Sequence, residues 1–238
     1  MSNTPEKACW FGVHVRASES LKSHSFFHLE PLGSRPIVET ATWETLFMTH
    51  PQLDRQSLRK TLRHARRQLS EQEQQQAAEQ LLEQTLHSQW LENVDHVALY
   101  LANDGEISPH LISQYCWQHK IKTYLPVVKG ETLRFALYDH TTQWHNNQFG
   151  IAEPITEKHH AQGSLDIVFM PLVGFDQYGG RLGMGGGFYD KSFANKGVKQ
   201  NPLLIGLAHD CQQVEQLPIE PWDVPLQAIL SPSQIIQF

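Results

Sequence analysis

The segment Gly179-Gly-Arg-Leu-Gly-Met-Gly-Gly-Gly-Phe-Tyr-Asp190 concentrates the residue types able to do chemistry. Six of its first nine positions are glycine, which tolerates positive φ and lets backbone approach a ligand closely. The segment follows an apolar run that reads as a buried strand and precedes a short predicted helix. That arrangement turns successive N–H groups toward an anion. Arg181 adds a fixed fork of donors suited to phosphate, and Tyr189-Asp190 supply a hydroxyl and a carboxylate. An isolated glycine run is more often a flexible loop. The preceding strand, the arginine and the Tyr-Asp pair together point to nucleotide phosphates. Neither common nucleotide fingerprint fits: no GKS or GKT follows a GxxxxG frame, and position 188 is phenylalanine, which breaks the GxGxxG frame.

A second concentration is basic. Residues 54–69 carry Arg55, Arg59, Lys60, Arg63, Arg66 and Arg67 against the single acid Asp54, so a chain of net charge −6 has +5 here and −11 elsewhere. A basic stripe on an acidic protein suits a small polyanion better than a nucleic-acid duplex. The 14 histidines show no HExxH spacing. His159-His160 reads as a surface pair, and His209-Asp210, at a strand end, either borders a site or is structural. Trp222 either stacks on a ligand ring or packs, packing being the commoner role. Cys9, Cys116 and Cys211 are too few and scattered for a disulfide framework or a CxxC metal site. No apolar run approaches the ~20 residues that cross a bilayer, and no secretory signal is predicted. The expectation is a cytoplasmic monomer with no membrane or nucleic-acid partner.

These residues need elements to position them. Leu58, Leu62, Ala65 and Leu69 form an apolar stripe at helical spacing. Arg55, Arg59, Arg63 and Arg66 form a second stripe about a quarter turn away, placed to reach into a cleft beside the core. Ser70 with Glu73 is a capping box opening a helix to about Leu86. Strands are predicted at His96–Leu101, Lys122–Val128, Leu133–Tyr138, Asp166–Pro171, Leu203–Ala208 and Ala228–Leu230. Ser108-Pro109 reads as an N-cap with proline at the first helical position of a helix to His119, and another helix is predicted at Phe188–Asn195. The alternation implies an α/β fold, a mainly parallel sheet flanked by helices. Residues 1–47 show no sustained period and are expected to be disordered or outside the functional protein. Residues 48–238 then form one domain, with Met48 as the start.

GGRLGMGGGFYD resembles the signature of the 5-formyltetrahydrofolate cyclo-ligase family. The resemblance extends over residues 54–232 through RQSLRKTLR, LANDGEIS, FGIAEP, DIVFMPLVGFD and LPIEPWDVP in matching order. It implies a Rossmann-like three-layer fold of the NagB/RpiA/CoA-transferase type. The implied reaction is the ATP- and Mg2+-dependent cyclisation of 5-formyltetrahydrofolate to 5,10-methenyltetrahydrofolate, with release of ADP and phosphate.

The resemblance also implies residue roles. Arg55 and Arg59 match the basic pair that contacts ATP phosphates, although the family often has lysine at the first position. Arg181, Leu182, Gly183, Met184, Gly185, Gly186, Gly187, Phe188 and Tyr189 match the ATP-binding loop, with Arg181 and Tyr189 as catalytic residues. Met184–Phe188 also border the folate. Some members carry lysine at position 186 and many carry tyrosine at 188, so Gly186 and Phe188 depart from the pattern. Glu106 matches the glutamate that binds the folate, although by position alone it reads as a turn residue. Asp190 and Asp223 match the magnesium carboxylates, a sensible set for a metal that prefers few carboxylates plus phosphate oxygens. Two other readings fit the same motifs less well: another ATP-dependent kinase or ligase, and a non-catalytic folate or sugar-phosphate sensor.

Overall fold

The computed structural model describes residues 54–147, 150, 152–155, 159–160, 164–197 and 200–238. The expectation for residues 1–47 lies outside them.

Helix α1 spans Arg55–Arg67, with Asp54 as its N-cap accepting from the Ser57 N–H at 3.1 Å. Helix α2, Glu71–His87, opens with the expected capping box: Ser70 N donates to Glu73 Oε2 at 2.8 Å and Glu73 N to Ser70 Oγ at 3.3 Å. The chain then alternates through β1 (His96–Ala98), α3 (His110–Gln118), β2 (Lys122–Lys129) and β3 (Thr132–Tyr138). Four short strands follow or flank the next long one: β4 (Trp144–Asn146), β5 (Ala152–Pro154), β6 (His159–His160), then β7 (Ile167–Pro171) and β8 (Gly174–Phe175). The last elements are β9 (Arg181–Leu182), α4 (Phe188–Phe193), β10 (Leu203–Leu207), β11 (Ala228–Leu230) and β12 (Ile235–Gln237).

Eight strands form one sheet in the order β12-β11-β10-β7-β1-β2-β3-β6. Its centre, β11 through β2, is parallel, and the outer pairs at both edges are antiparallel. Both faces are buried, as parallel strands require. Ile167 and Phe169 face α2 and α3 with Ala77, Leu81, Ile112 and Cys116, whereas Val168 and Met170 face Phe193 of α4, Leu165 and Leu226. The result is the expected three-layer α/β fold. One layer is two long helices; the other is the six-residue α4 with loops.

Several element boundaries differ from the sequence reading, most of them by one residue. Strand β1 ends at Ala98 rather than Leu101, because the chain turns away over the sheet's carboxyl edge after one more bond, Leu99 N to Tyr124 O at 2.9 Å. Helix α3 begins at His110 with Pro109, not Ser108, at the N-cap, although Ser108 Oγ still accepts from His110 N at 3.4 Å. The Pro109 φ and ψ of −85° and 15° lie in the bridge region, outside the helical range, so the helix starts one residue later. His159-His160 is part of β6, paired with β3.

The Leu58/Leu62 stripe packs with Val173, Leu182 and Leu217 in a small separate cluster. Ala65 and Leu69, expected on that stripe, are only half-buried. This cluster pins α1 across the carboxyl edge of the sheet, with its arginines turned toward that edge.

Candidate active site

Chain order runs β1 to β2 in one direction across the sheet, then β7, β10 and β11 in the other. The reversal lies between β1 and β7. At such a switch point the two following loops part, leaving a crevice at the carboxyl ends. A cavity of about 780 Å³ occupies that place, lined by Tyr100 and Asn103 after β1, Pro171 at the end of β7, and the glycine segment.

The structure brings nearly every predicted residue to this one cavity. Arg55, Arg59, Glu106, Arg181, Gly183–Gly187, Phe188, Tyr189, Asp190 and Asp223 all line it. Leu182 does not: its side chain is fully buried in the α1 cluster, leaving only its backbone near the segment. Trp222 is 69% exposed and lines the mouth, so the packing role expected for it does not hold. His209 does not line the cavity. It is buried, with Nε2 unpartnered, and burial lowers its pKa to about 4, so it stays neutral.

One end of the cavity is ionic. Arg55 grips Asp223 with both terminal nitrogens, at 2.8 and 3.2 Å. Arg181 pairs with Asp190 Oδ1, and its Nε donates to Val224 O at 2.9 Å. Val224 N donates to the same Asp190 oxygen at 3.0 Å. The residue following Asp223 therefore sits against Asp190, and the two ion pairs adjoin. Burial disfavours the Asp223 carboxylate, but the Arg55 fork and the Glu220 N–H outweigh it and hold its pKa below the usual range. Arg59 is fixed by one bond, Nε to Gly183 O at 2.8 Å, which leaves its terminal nitrogens for another acceptor. Gly185 lies beside this guanidinium with φ of +99°, a conformation that favours glycine. Helix α4, six residues long, is too short for its dipole to matter much, so the arginines and not a helix terminus are the groups suited to an anion here.

Glu106 is held by a second ionic group that sequence reasoning missed. Asp104 and Gly105 both have positive φ, 56° and 74°. This tight loop aims Asp104 back at α1, where its carboxylate accepts from Arg63 at 2.8 Å, Arg66 at 3.0 Å, and Arg67. Burial opposes ionisation of Asp104, yet the three guanidiniums lower its pKa to about 2. Arg66 is wholly buried; it also donates to Asp104 O at 2.9 Å and Leu172 O at 3.1 Å, and lies 3.5 Å from Glu106 Oε1. The Asn103 N–H reaches Glu106 Oε2 at 3.2 Å. Burial pushes the Glu106 pKa up against the Arg66 charge. Burial and Glu106 likewise raise Tyr189, which keeps its proton at neutral pH and can donate a hydrogen bond. Five arginines on one helix demand counter-charges, and the Asp-Gly pair after β1 was the available signal.

The opposite wall comes from β2, β3 and β5: Leu125, Pro126, Val128, Leu133 and Ala152, with Glu153 and Asn147 as its polar members. Ser192 Oγ accepts from Leu133 N at 2.8 Å and Lys191 donates to Glu131 at 2.7 Å, tying α4 to this wall.

Among the described residues no group of three or more His, Cys, Asp or Glu could hold a metal ion. Asp190 and Asp223 are already compensated by arginines. They fit a magnesium ion that arrives with phosphate oxygens and draws on one or two carboxylates, not a metal centre built by protein alone.

Residues 51–232 match the profile of the 5-formyltetrahydrofolate cyclo-ligase family. The chain is 47% identical over 140 residues to the 5-formyltetrahydrofolate cyclo-ligase of Haemophilus influenzae, covering 57% of this chain and 74% of that protein. The Escherichia coli protein of the same name is 40% identical over 145 residues, covering 58% and 79%. The NMR structure of Aquifex aeolicus 5,10-methenyltetrahydrofolate synthetase superposes with a TM-score of 0.68 at 26% identity, over 77% of this chain and 92% of that one.

Proposed function

Since this chain belongs to the 5-formyltetrahydrofolate cyclo-ligase family, an enzyme family, we propose that its cavity closes 5-formyltetrahydrofolate to 5,10-methenyltetrahydrofolate at the expense of ATP. The supporting observation is the division of one cavity. Arg55, Arg59 and Arg181, with Asp190 and Asp223 beside them and the glycine loop, form an ionic, arginine-rich end, and β2, β3 and β5 form a largely apolar wall able to cover a flat heterocycle.

The formyl oxygen on the first folate nitrogen attacks the γ-phosphorus of ATP, and ADP departs. The carbon is now an iminium bearing a phosphate ester. The second nitrogen attacks that carbon and loses its proton, and the C–O bond breaks with inorganic phosphate as leaving group. An amide oxygen leaves poorly and a phosphate readily, hence the need for ATP. Arg59 and Arg181 stabilise the charge spread over the transferring phosphoryl oxygens, and the neutral Tyr189 hydroxyl is a donor at the formyl or phosphoryl oxygen. Glu106 accepts from N–H groups of the pterin. Asp190 and Asp223 are the residues that would hold Mg2+, which when bound would supply neutralisation of phosphate charge.

The deciding experiment is a near-ultraviolet absorbance assay with 5-formyltetrahydrofolate and Mg-ATP. Methenyl absorbance should grow only with ATP present. No ATP-dependent product overturns the reading, and folate binding surviving in that case would identify a sensor instead.

A further inference from the structure

Glu153 is the one acid on the β2/β3/β5 wall, and the proposed chemistry gives it no task. Its residue is 5% exposed, on β5, among Leu125, Val128, Leu133 and Ala152. Its two oxygens are treated unequally. Oε1 accepts from Val128 N at 3.2 Å and from Asn147 Nδ2 at 2.8 Å. Oε2 has no hydrogen bond among the described residues; His145 Nε2 stands 3.9 Å away, too far for one. Among the described residues the one fully buried side-chain nitrogen or oxygen without a partner is His209 Nε2, so Glu153 Oε2 opens on the cavity, where a ligand N–H can take the place of water.

We propose that Glu153 is a second folate-anchoring carboxylate, whose Oε2 accepts from an N–H of the reduced pterin. The inference rests on the cyclo-ligase reading. Three observations support a pterin over a phosphate as the partner. A carboxylate repels phosphate oxygens. The cavity's cations come from α1 and the glycine segment, and this wall contributes none among its described lining residues. A reduced pterin also carries ring and amino N–H donors on more than one edge, so Glu106 on the loop after β1 cannot meet them all. With a second acceptor on a separate element, the ring is fixed in rotation as well as in place. That orientation is what presents one particular nitrogen's formyl group to the phosphate end.

The same asymmetry supplies a clean variant. In Glu153→Gln the amide oxygen is drawn to the Oε1 position by Val128 N and Asn147 Nδ2, which forces the NH2 group into the Oε2 position. The protein's own hydrogen bonds survive, and only the substrate meets a donor facing a donor. Initial rates would be measured with each substrate varied, together with calorimetric titration of 5-formyltetrahydrofolate without ATP and thermal unfolding. The expected result is a folate KM and Kd raised by about 10- to 100-fold, with ATP KM within about twofold of wild type and an unchanged Tm. Unchanged folate KM and Kd in a folded variant overturn the proposal. So does a rise confined to ATP KM, which would assign the oxygen to the purine, or a parallel loss of both affinities with a lowered Tm, which would make Glu153 structural. A wild type that binds the folate without turnover overturns the catalytic reading alone; the calorimetric comparison still decides the carboxylate.

Discussion

Gly186 and Phe188 share one space: a Cβ at residue 186 would lie 2.9 Å from two carbons of the Phe188 ring. These are also the two positions that the family resemblance set apart within the glycine segment. The ring lies over the glycine, and its other side packs against the core on the α4 face. Any side chain at 186 must displace it.

Gly186→Ala is therefore expected to lower kcat/KM by about tenfold, a steric cost of about 1.4 kcal/mol. Adding Phe188→Leu should restore part of the loss, although each change alone is harmful. A double-mutant cycle measures this coupling, and strictly additive losses would refute it.

Asp190→Asn keeps an acceptor for Arg181 and Val224 N but removes the charge. The expected loss in kcat is about a hundred- to a thousand-fold, with a raised magnesium requirement and a lowered Tm, since the buried Arg181 loses its counter-charge. Near-normal turnover would count against Asp190 as a metal ligand.

The Glu106 pKa is raised by burial, so its carboxylate is protonated at a higher pH than an ordinary glutamate. As pH falls through that raised value, the acceptor for pterin N–H groups is lost. Folate KM should climb on the acid limb while ATP KM holds steady, and Glu106→Gln should remove this pH dependence along with most of the folate affinity. Parallel titration of both KM values in the wild type would show some other group in control.

Asp104 titrates in the opposite sense. Its pKa falls from the usual ~3.9 to about 2 in the folded protein, so its contribution is present above about pH 4 and is lost as pH drops toward 2. Asp104→Asn should be less stable at neutral pH and lose less on acidification across that window. Because Arg66 would then face Glu106 without its main partner, folate KM should shift as well. Urea unfolding at several pH values tests the first expectation; a loss on acidification as steep as in wild type would contradict it.

Long periodic elements and repeated local chemistry were legible in the sequence. The capping box at Ser70 and Glu73, the Leu58/Leu62 stripe and the run of central strands follow from local spacing, and local spacing survives folding. The glycine segment was legible because its residue types are costly elsewhere. Asp104 and Glu153 were not, since each is an ordinary acid whose meaning comes from partners far along the chain: Asp104 from three arginines on α1, Glu153 from an unmatched oxygen inside a cavity. Trp222 misled because large aromatics usually pack, and here it stands at a mouth. The short pairs β4/β5 and β8/β9 are too brief for any period to announce them.

The Arg55–Asp223 pair joins residues 168 positions apart. During synthesis, α1 precedes every described strand of the sheet, yet Arg55 has no Asp223 carboxylate to grip until the chain has reached position 223. The wall formed by β2, β3 and β5 is complete in sequence by Pro154, long before. Contacts of such separation close late, because loop-closure entropy must be met before they contribute. The ionic end is thus the least local part of the cavity, and its pairing depends on the whole fold being in place. The wall opposite is made by neighbouring strands, so the two halves of the cavity differ in how far along the chain their contacts reach.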